Sequence, residues 1–169
     1  MKYKAGDVVL YSAHGVCKVA ELAKKNMSGK IMEYYVLKPV GDSKFTILVP
    51  VDSERLTAKM RRLLSAGEIY ALIRTMPGEN TIWIDDEKVR RARYKEILAL
   101  GDRAELVQLI KTLYLRQRDM QKKGKRLYLA DGYVMRDAEK MLYDEFAHVL
   151  EINPDQVLPF IMERIETAE

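Results

Sequence analysis

A chain of 169 residues, 48% hydrophobic and 32% charged, is long enough for one ordinary domain or two small ones with buried cores. It contains no run of about 18 uncharged apolar residues, and its opening Met1-Lys2-Tyr3-Lys4-Ala5-Gly6-Asp7 lacks the apolar stretch of a secretory signal, so a cytoplasmic protein without a membrane partner is expected. The single cysteine, Cys17, excludes an internal disulfide and a thiolate zinc cluster, and its alternating neighbours mark it as a small buried hydrophobe.

The net charge of +4 is unevenly spread. Residues 1–87 carry +2, residues 88–126 hold 13 basic against 4 acidic side chains for +9, and residues 127–169 come to −7. A polyanion is therefore attracted to the middle block and repelled by the acidic last third.

From Asp7 to about Met60 the apolar residues recur with a period near two and are rich in β-branched and aromatic types. Val8-Val9-Leu10-Tyr11, Val16-Cys17-Lys18-Val19, Glu33-Tyr34-Tyr35-Val36-Leu37 and Phe45-Thr46-Ile47-Leu48-Val49 read as strands. Ser12-Ala13-His14-Gly15, Asn26-Met27-Ser28-Gly29-Lys30 and Gly41-Asp42-Ser43-Lys44 have the length of hairpin loops. An antiparallel meander results, with a fifth strand expected near Arg55–Met60 and enough strands to curl into a small barrel over residues 1–64.

After Ser65-Ala66-Gly67 the period changes. Ile69, Leu72 and Ile73 fit one helical face, and Met76-Pro77-Gly78-Glu79-Asn80 ends that helix, so residues 65–82 are expected to be a helix and hinge. Residues 83–169 read as all helical. Asp85 or Asp86 caps a helix to about Leu100, Gly101 closes it, Asp102 caps the next, and Lys123-Gly124 breaks that one. A long helix carries Met135, Ala138, Leu142, Phe146 and Val149. Asn153-Pro154-Asp155 starts the last helix, whose stripe is Val157, Phe160, Ile161 and Ile165. The fold class is thus α+β in two domains.

No enzyme is expected. His14 and His148 lie in different halves without metal-ligand spacing, and no glycine-rich phosphate cradle is present, so neither cofactor nor metal is implied. Asp85/Asp86 and Asp144/Glu145 are adjacent helical residues pointing about 100° apart, and read as caps and solvated faces rather than a shared-proton pair. The stretch that carries information is Trp83-Ile84-Asp85-Asp86-Glu87-Lys88-Val89-Arg90-Arg91-Ala92-Arg93-Tyr94-Lys95. The only tryptophan stands before a helix with five basic residues, of which Lys88, Arg91 and Lys95 form a stripe fit to track phosphates. An indole at its edge is suited to stack on, or wedge beside, an unpaired base.

The run Tyr3-Lys4-Ala5-Gly6-Asp7-Val8-Val9-Leu10-Tyr11-Ser12-Ala13-His14-Gly15-Val16 resembles the opening of CarD-type transcription regulators, roughly F-x-x-G-D-x-V-V-Y-P-x-H-G. Glu33-Tyr34-Tyr35-Val36-Leu37 and Leu48-Val49-Pro50 resemble the same family in order and spacing, as do Trp83, the basic helix and Leu98-Ala99-Leu100-Gly101-Asp102 in the second half. The first block is also similar to the polymerase-binding module of transcription-repair coupling factors. The resemblance implies a Tudor-like barrel that binds the β subunit of RNA polymerase, and a helical domain that contacts promoter DNA, largely independent of sequence, at the upstream edge of the bubble. The chain is then a monomer associated with the nucleoid through polymerase. By resemblance, Lys25, Met27 and Leu48 face polymerase, with Leu48 making an apolar contact where some relatives place arginine. Trp83, Lys88, Arg90, Arg91 and Lys95 face DNA. The Trp83 to Gly101 spacing is about four residues longer than in some relatives, which shifts the wedge by roughly 6 Å along a helix. The alternative reading is a protein-interaction adaptor without DNA contact.

Overall fold

A computed structural model describes residues 2–11, 14–41 and 44–167, with the side chains of 165–167 left aside. The expected loop positions Ser12, Ala13, Asp42 and Ser43 and the side chain of Ile165 lie outside the described residues. The chain divides into two compact units, Met1–Leu63 and Leu64–Glu169.

The first unit is a five-stranded antiparallel sheet built from β1 (Val8–Tyr11), β2 (Val16–Met27), β3 (Lys30–Pro39), β4 (Ile47–Pro50) and β5 (Met60–Arg62), in the order β4-β3-β2-β1-β5. The barrel expected from the sequence is not closed: β4 and β5 are the two edges, and no ladder joins them among the described residues. One face carries the core, with Val9, Tyr11, Cys17, Val19, Tyr35, Leu37, Val49 and Met60 buried together. Each large apolar side chain so buried contributes about 1.5–3 kcal/mol relative to exposure. Burial pushes the Cys17 thiol up to about 11, so it is a core hydrophobe and not a nucleophile.

β2 is far longer than expected. Val19 faces Leu37 and Glu21 faces the next residue, Val36, so Ala20 is an extra residue in a β-bulge. The bulge flips the alternation, and Leu22 rather than Glu21 returns to the core side. The β2–β3 ladder then runs to Met27↔Lys30, leaving a two-residue turn at Ser28 (φ 54°) and Gly29 (φ 82°). Two left-handed residues are what a tight hairpin matched to strand twist requires. The strand expected near Arg55–Met60 is a short helix, α1 (Glu54–Thr57), whose first turn is capped by Ser53 Oγ accepting from Leu56 N, followed by β5.

The second unit holds α2 (Ala66–Thr75), α3 (Glu87–Leu100), α4 (Arg103–Lys122), α5 (Leu129–Leu150) and α6 (Val157–Thr167). Ser65 and Glu68 form a reciprocal capping box on α2. Asp86 caps α3, Gly101 ends it in the left-handed region, and Asp102 caps α4. Ile69 and Ile73 of α2 pack with Leu142, Phe146, Val157 and Ile161, so α2 belongs to the helical core. A second cluster gathers Tyr94, Ile97, Leu106, Leu109, Leu113 and Ala138, with Trp83 partly buried against it.

One acidic residue departs from expectation. Glu145, expected on a solvated face, is 1% exposed and takes the Arg103 guanidinium on both carboxylate oxygens at 2.7 and 2.6 Å while accepting Leu64 N. A buried carboxylate is tolerable only with such compensation. No helix among the described residues is long and apolar enough to cross a membrane.

Candidate nucleic-acid interface and hairpin surface

The segment before α3 is stitched onto α4. Lys111 Nζ donates to the carbonyls of Met76, Pro77 and Glu79 at 3.3, 2.9 and 2.8 Å, and Gln108 Nε2 donates to Glu79 at 3.1 Å. Thr112 Oγ1 accepts from Ile82 N at 2.8 Å. The 3-10 turn Met76–Gly78 that Pro77 imposes is thereby fixed, and Trp83 follows from a defined position.

Trp83 is tied down on several sides. Its Nε1 donates to Asp85 Oδ1 at 2.8 Å. The guanidinium carbons of Arg90 and Arg116 lie over its ring, 4.5 and 4.3 Å from the centroid. Desolvated guanidinium–indole contacts of this kind are worth about 2 kcal/mol. The ring is thus partly buried and held in place, with two guanidinium groups already over it.

Arg90, expected to face DNA, is turned into the fold. It is 2% exposed, its Nε donates to Asp131 Oδ1 at 3.2 Å, and its Nη1 donates to the carbonyls of Ile84 and Asp85 at 3.0 and 3.3 Å. Its charge is neutralised inside the fold, where it orients the indole and the backbone leading to α3. Asp131, from the first turn of α5, is likewise 2% exposed. Around this pair Tyr94 Oη, Asp131 Oδ2 and Arg116 Nε are buried with no hydrogen-bond partner among the described residues. Burial first, then the Asp131 charge, pushes the Tyr94 hydroxyl up to about 12.

The rest of the basic helix divides into two sets. Arg93 bridges Glu96 and Glu105 at 3.3 and 3.1 Å and so ties α3 to α4. Lys88, Arg91 and Lys95 are exposed along α3. Arg91 pairs with Glu87 at 2.7 Å while remaining 62% exposed, and Lys88 and Lys95 have no ion pair among the described residues. Exposed pairs such as Arg91–Glu87 are worth under about 1 kcal/mol and exchange readily for a phosphate. Arg116, which no sequence motif marks, is brought to the indole by α4.

In the first unit, Lys25 and Met27 are exposed at the far end of the β2–β3 hairpin. Lys25 faces Met32 and Met27 faces Lys30, whereas Leu48 on the edge strand β4 faces Val36. Since partners across a ladder share a face and alternate residues of β3 point the same way, all three lie on the face opposite the core. They do not form one cluster: the Lys30 and Val36 positions of β3 are six residue steps apart, about 20 Å along a strand. Ile31, beside the turn, is a large apolar side chain left 71% exposed. His14 stacks on Tyr11, with centroids 5.9 Å apart.

Compared with known protein families, residues 3–64 match the model of the CarD-like/TRCF RID domain. No curated protein matches the chain.

Proposed function

Since residues 3–64 form a CarD-like/TRCF RID domain, an RNA polymerase-interacting module, we propose that the first unit grips the polymerase β subunit while the second props open promoter DNA at the upstream edge of the bubble. The family domain itself gives the chain an RNA polymerase-interacting, transcription-related role. The finer reading rests on one observation: the indole of Trp83 stands at the head of a helix with exposed cations and is held by two guanidinium groups and a carboxylate.

On this reading the five-stranded sheet is an open-edged form of the Tudor-like platform, and its hairpin end and outer face supply Lys25, Met27 and Leu48 to polymerase. Lys88, Arg91 and Lys95 lie along phosphates of the duplex, and the edge of Trp83 abuts the last pair before the melted strands. An aromatic ring already fixed loses little conformational entropy on insertion. Arg116, which has no ion pair among the described residues, adds positive charge beside the ring and favours a phosphodiester chain there. Re-annealing is opposed sterically, and the open complex lives longer with no bond made or broken. Sequence preference is weak, because phosphate contacts carry no base code. The protein then works in the cytoplasm, as a monomer on the nucleoid through polymerase.

The experiment is to add the purified chain to polymerase holoenzyme at a promoter and measure the half-life of open complexes after competitor challenge. A longer half-life together with co-migration on holoenzyme is expected. Co-migration with an unchanged half-life overturns the DNA-propping half of the proposal and leaves a polymerase-bound adaptor.

A further inference from the structure

Away from the Trp83 site, the helical unit contains a cavity of about 240 Å³ between α4, α5, α6 and the Met76-Pro77 turn. Its floor reaches into the core: Val107, Leu142 and Ile161, which line it, are 4, 1 and 4% exposed. Its rim is apolar and open to solvent, with Tyr114, Leu158 and Met162 all exposed large hydrophobic residues. Well-packed cores rarely leave a void of this size in contact with solvent. Ligand sites combine such an apolar lining with a few placed polar groups, usually in clefts of about 300–1,000 Å³, so this one, somewhat smaller, suits a small molecule.

The polar groups identify the ligand class. Two charged residues line the cavity, Lys111 and Glu139. The Lys111 ammonium is spent on three backbone carbonyls at 2.8–3.3 Å and is not free to meet an anion. The partly buried Glu139 carboxylate has no hydrogen bond or ion pair among the described residues, and the Tyr143 hydroxyl beside it has no hydrogen bond either. The one uncommitted charge in an apolar chamber is therefore negative.

We propose that this cavity binds a small amphiphilic amine, with an aliphatic or aromatic body seated on Leu142 and Ile161 and a protonated nitrogen paired with the Glu139 carboxylate, the Tyr143 hydroxyl being its second polar contact. Burial raises the Glu139 carboxyl above its ordinary value, and an ammonium group beside it restores the charged form. The depth of the floor favours an inserted molecule over a docked helix, which meets a shallow groove. None of the cavity's residues belongs to the polymerase or the DNA surface, so its ligand and those partners can be tested apart.

The test is a methyl-NMR titration of the full chain with 4-phenylbutylamine, and with 4-phenylbutanol and 4-phenylbutyrate of similar shape. Saturable shifts are expected at methyls lining the cavity, those of Val107, Leu142 and Ile161 at its floor among them, and not at methyls of the sheet unit, with the amine binding more tightly than the alcohol and the carboxylate weakest. Glu139→Gln, which keeps size and polarity, weakens the amine about tenfold or more while leaving the alcohol unchanged. Leu158→Trp, at the exposed rim, obstructs the mouth and weakens both. No saturable shift at millimolar probe, equal binding of amine and carboxylate, or an unaltered amine affinity in Glu139→Gln overturns the proposal.

Discussion

The two units present their candidate contact residues in opposite ways. In the sheet, Lys25 and Met27 project from the end of a hairpin, exposed and with no side-chain hydrogen bond or ion pair among the described residues. In the helical unit the indole of Trp83 is held by Arg90 and Arg116, and Arg90 in turn by Asp131, 41 residues away. A surface meant to meet a protein partner can be loosely built, because the partner orders it on binding. On the proposed function, a ring that resists the closing of two DNA strands must be stiff beforehand, and stiffness needs a supporting shell.

The sharpest way to break this contrast is to remove the support. Asp131→Ala leaves Arg90 as an uncompensated buried charge, and a loss of about 3–5 kcal/mol in the helical unit is expected. Denaturant unfolding followed by Trp83 fluorescence measures it. Replacing both partners by Arg90→Met and Asp131→Leu restores most of the stability, since a buried ion pair exchanged for apolar volume is near neutral. A single-variant cost below about 1 kcal/mol would mean that the pair does not hold the site.

The hairpin makes the complementary case. Met27→Asp should lower affinity for holoenzyme by about 2 kcal/mol, near thirtyfold, as loss of an exposed apolar anchor does. The thermal midpoint should not move, because Met27 is 50% exposed. Surface binding assays and calorimetry on the same sample check both halves. A smaller effect is expected from Trp83→Ala: open-complex half-life falls about tenfold, or ~1.4 kcal/mol, with polymerase affinity unchanged. An unaltered half-life would remove the indole from the mechanism.

How far this arrangement was legible follows the range of the interactions. The cap at Asp102, the stop at Gly101 and the buried Ala138, Leu142 and Phe146 of the α5 stripe are local and could be read directly. The length of β2 could not, because the bulge at Ala20 breaks its alternation and Lys24, Lys25 and Asn26 offer no apolar phase. α1 left one trace, Ser53 three residues ahead of Leu56. The inward turn of Arg90 also left a trace that charge obscured: Arg90, Tyr94 and Ile97 stand at spacings of four and three, the face of a core stripe, and all three are buried. Ala138, Leu142 and Glu145 repeat the pattern on α5. A charged residue in phase with a helix's apolar stripe is better read as one half of a buried pair whose partner lies elsewhere. Asp131 and Arg103, those partners, are 41 and 42 residues away, beyond any local periodicity.

The same sorting of cations gives the finest prediction. Of the five basic residues on the first turns of α3, Arg90 and Arg93 are committed to Asp131 and to Glu96 and Glu105, so only Lys88, Arg91 and Lys95 are available to phosphates. Replacing those three by alanine should reduce the dependence of log affinity on log salt by up to about 2.7, at about 0.9 per phosphate neutralised. Arg91 should account for the smallest share, since it exchanges one anionic partner, Glu87, for another. Arg93→Ala should leave the slope alone and lower the stability of the helical unit by under about 1 kcal/mol for its partly exposed pairs. Were Arg93→Ala to flatten the salt dependence as strongly as Lys95→Ala, the division of α3 into a structural face and a phosphate face would fail, and with it the contrast between a braced ring and the exposed cations beside it.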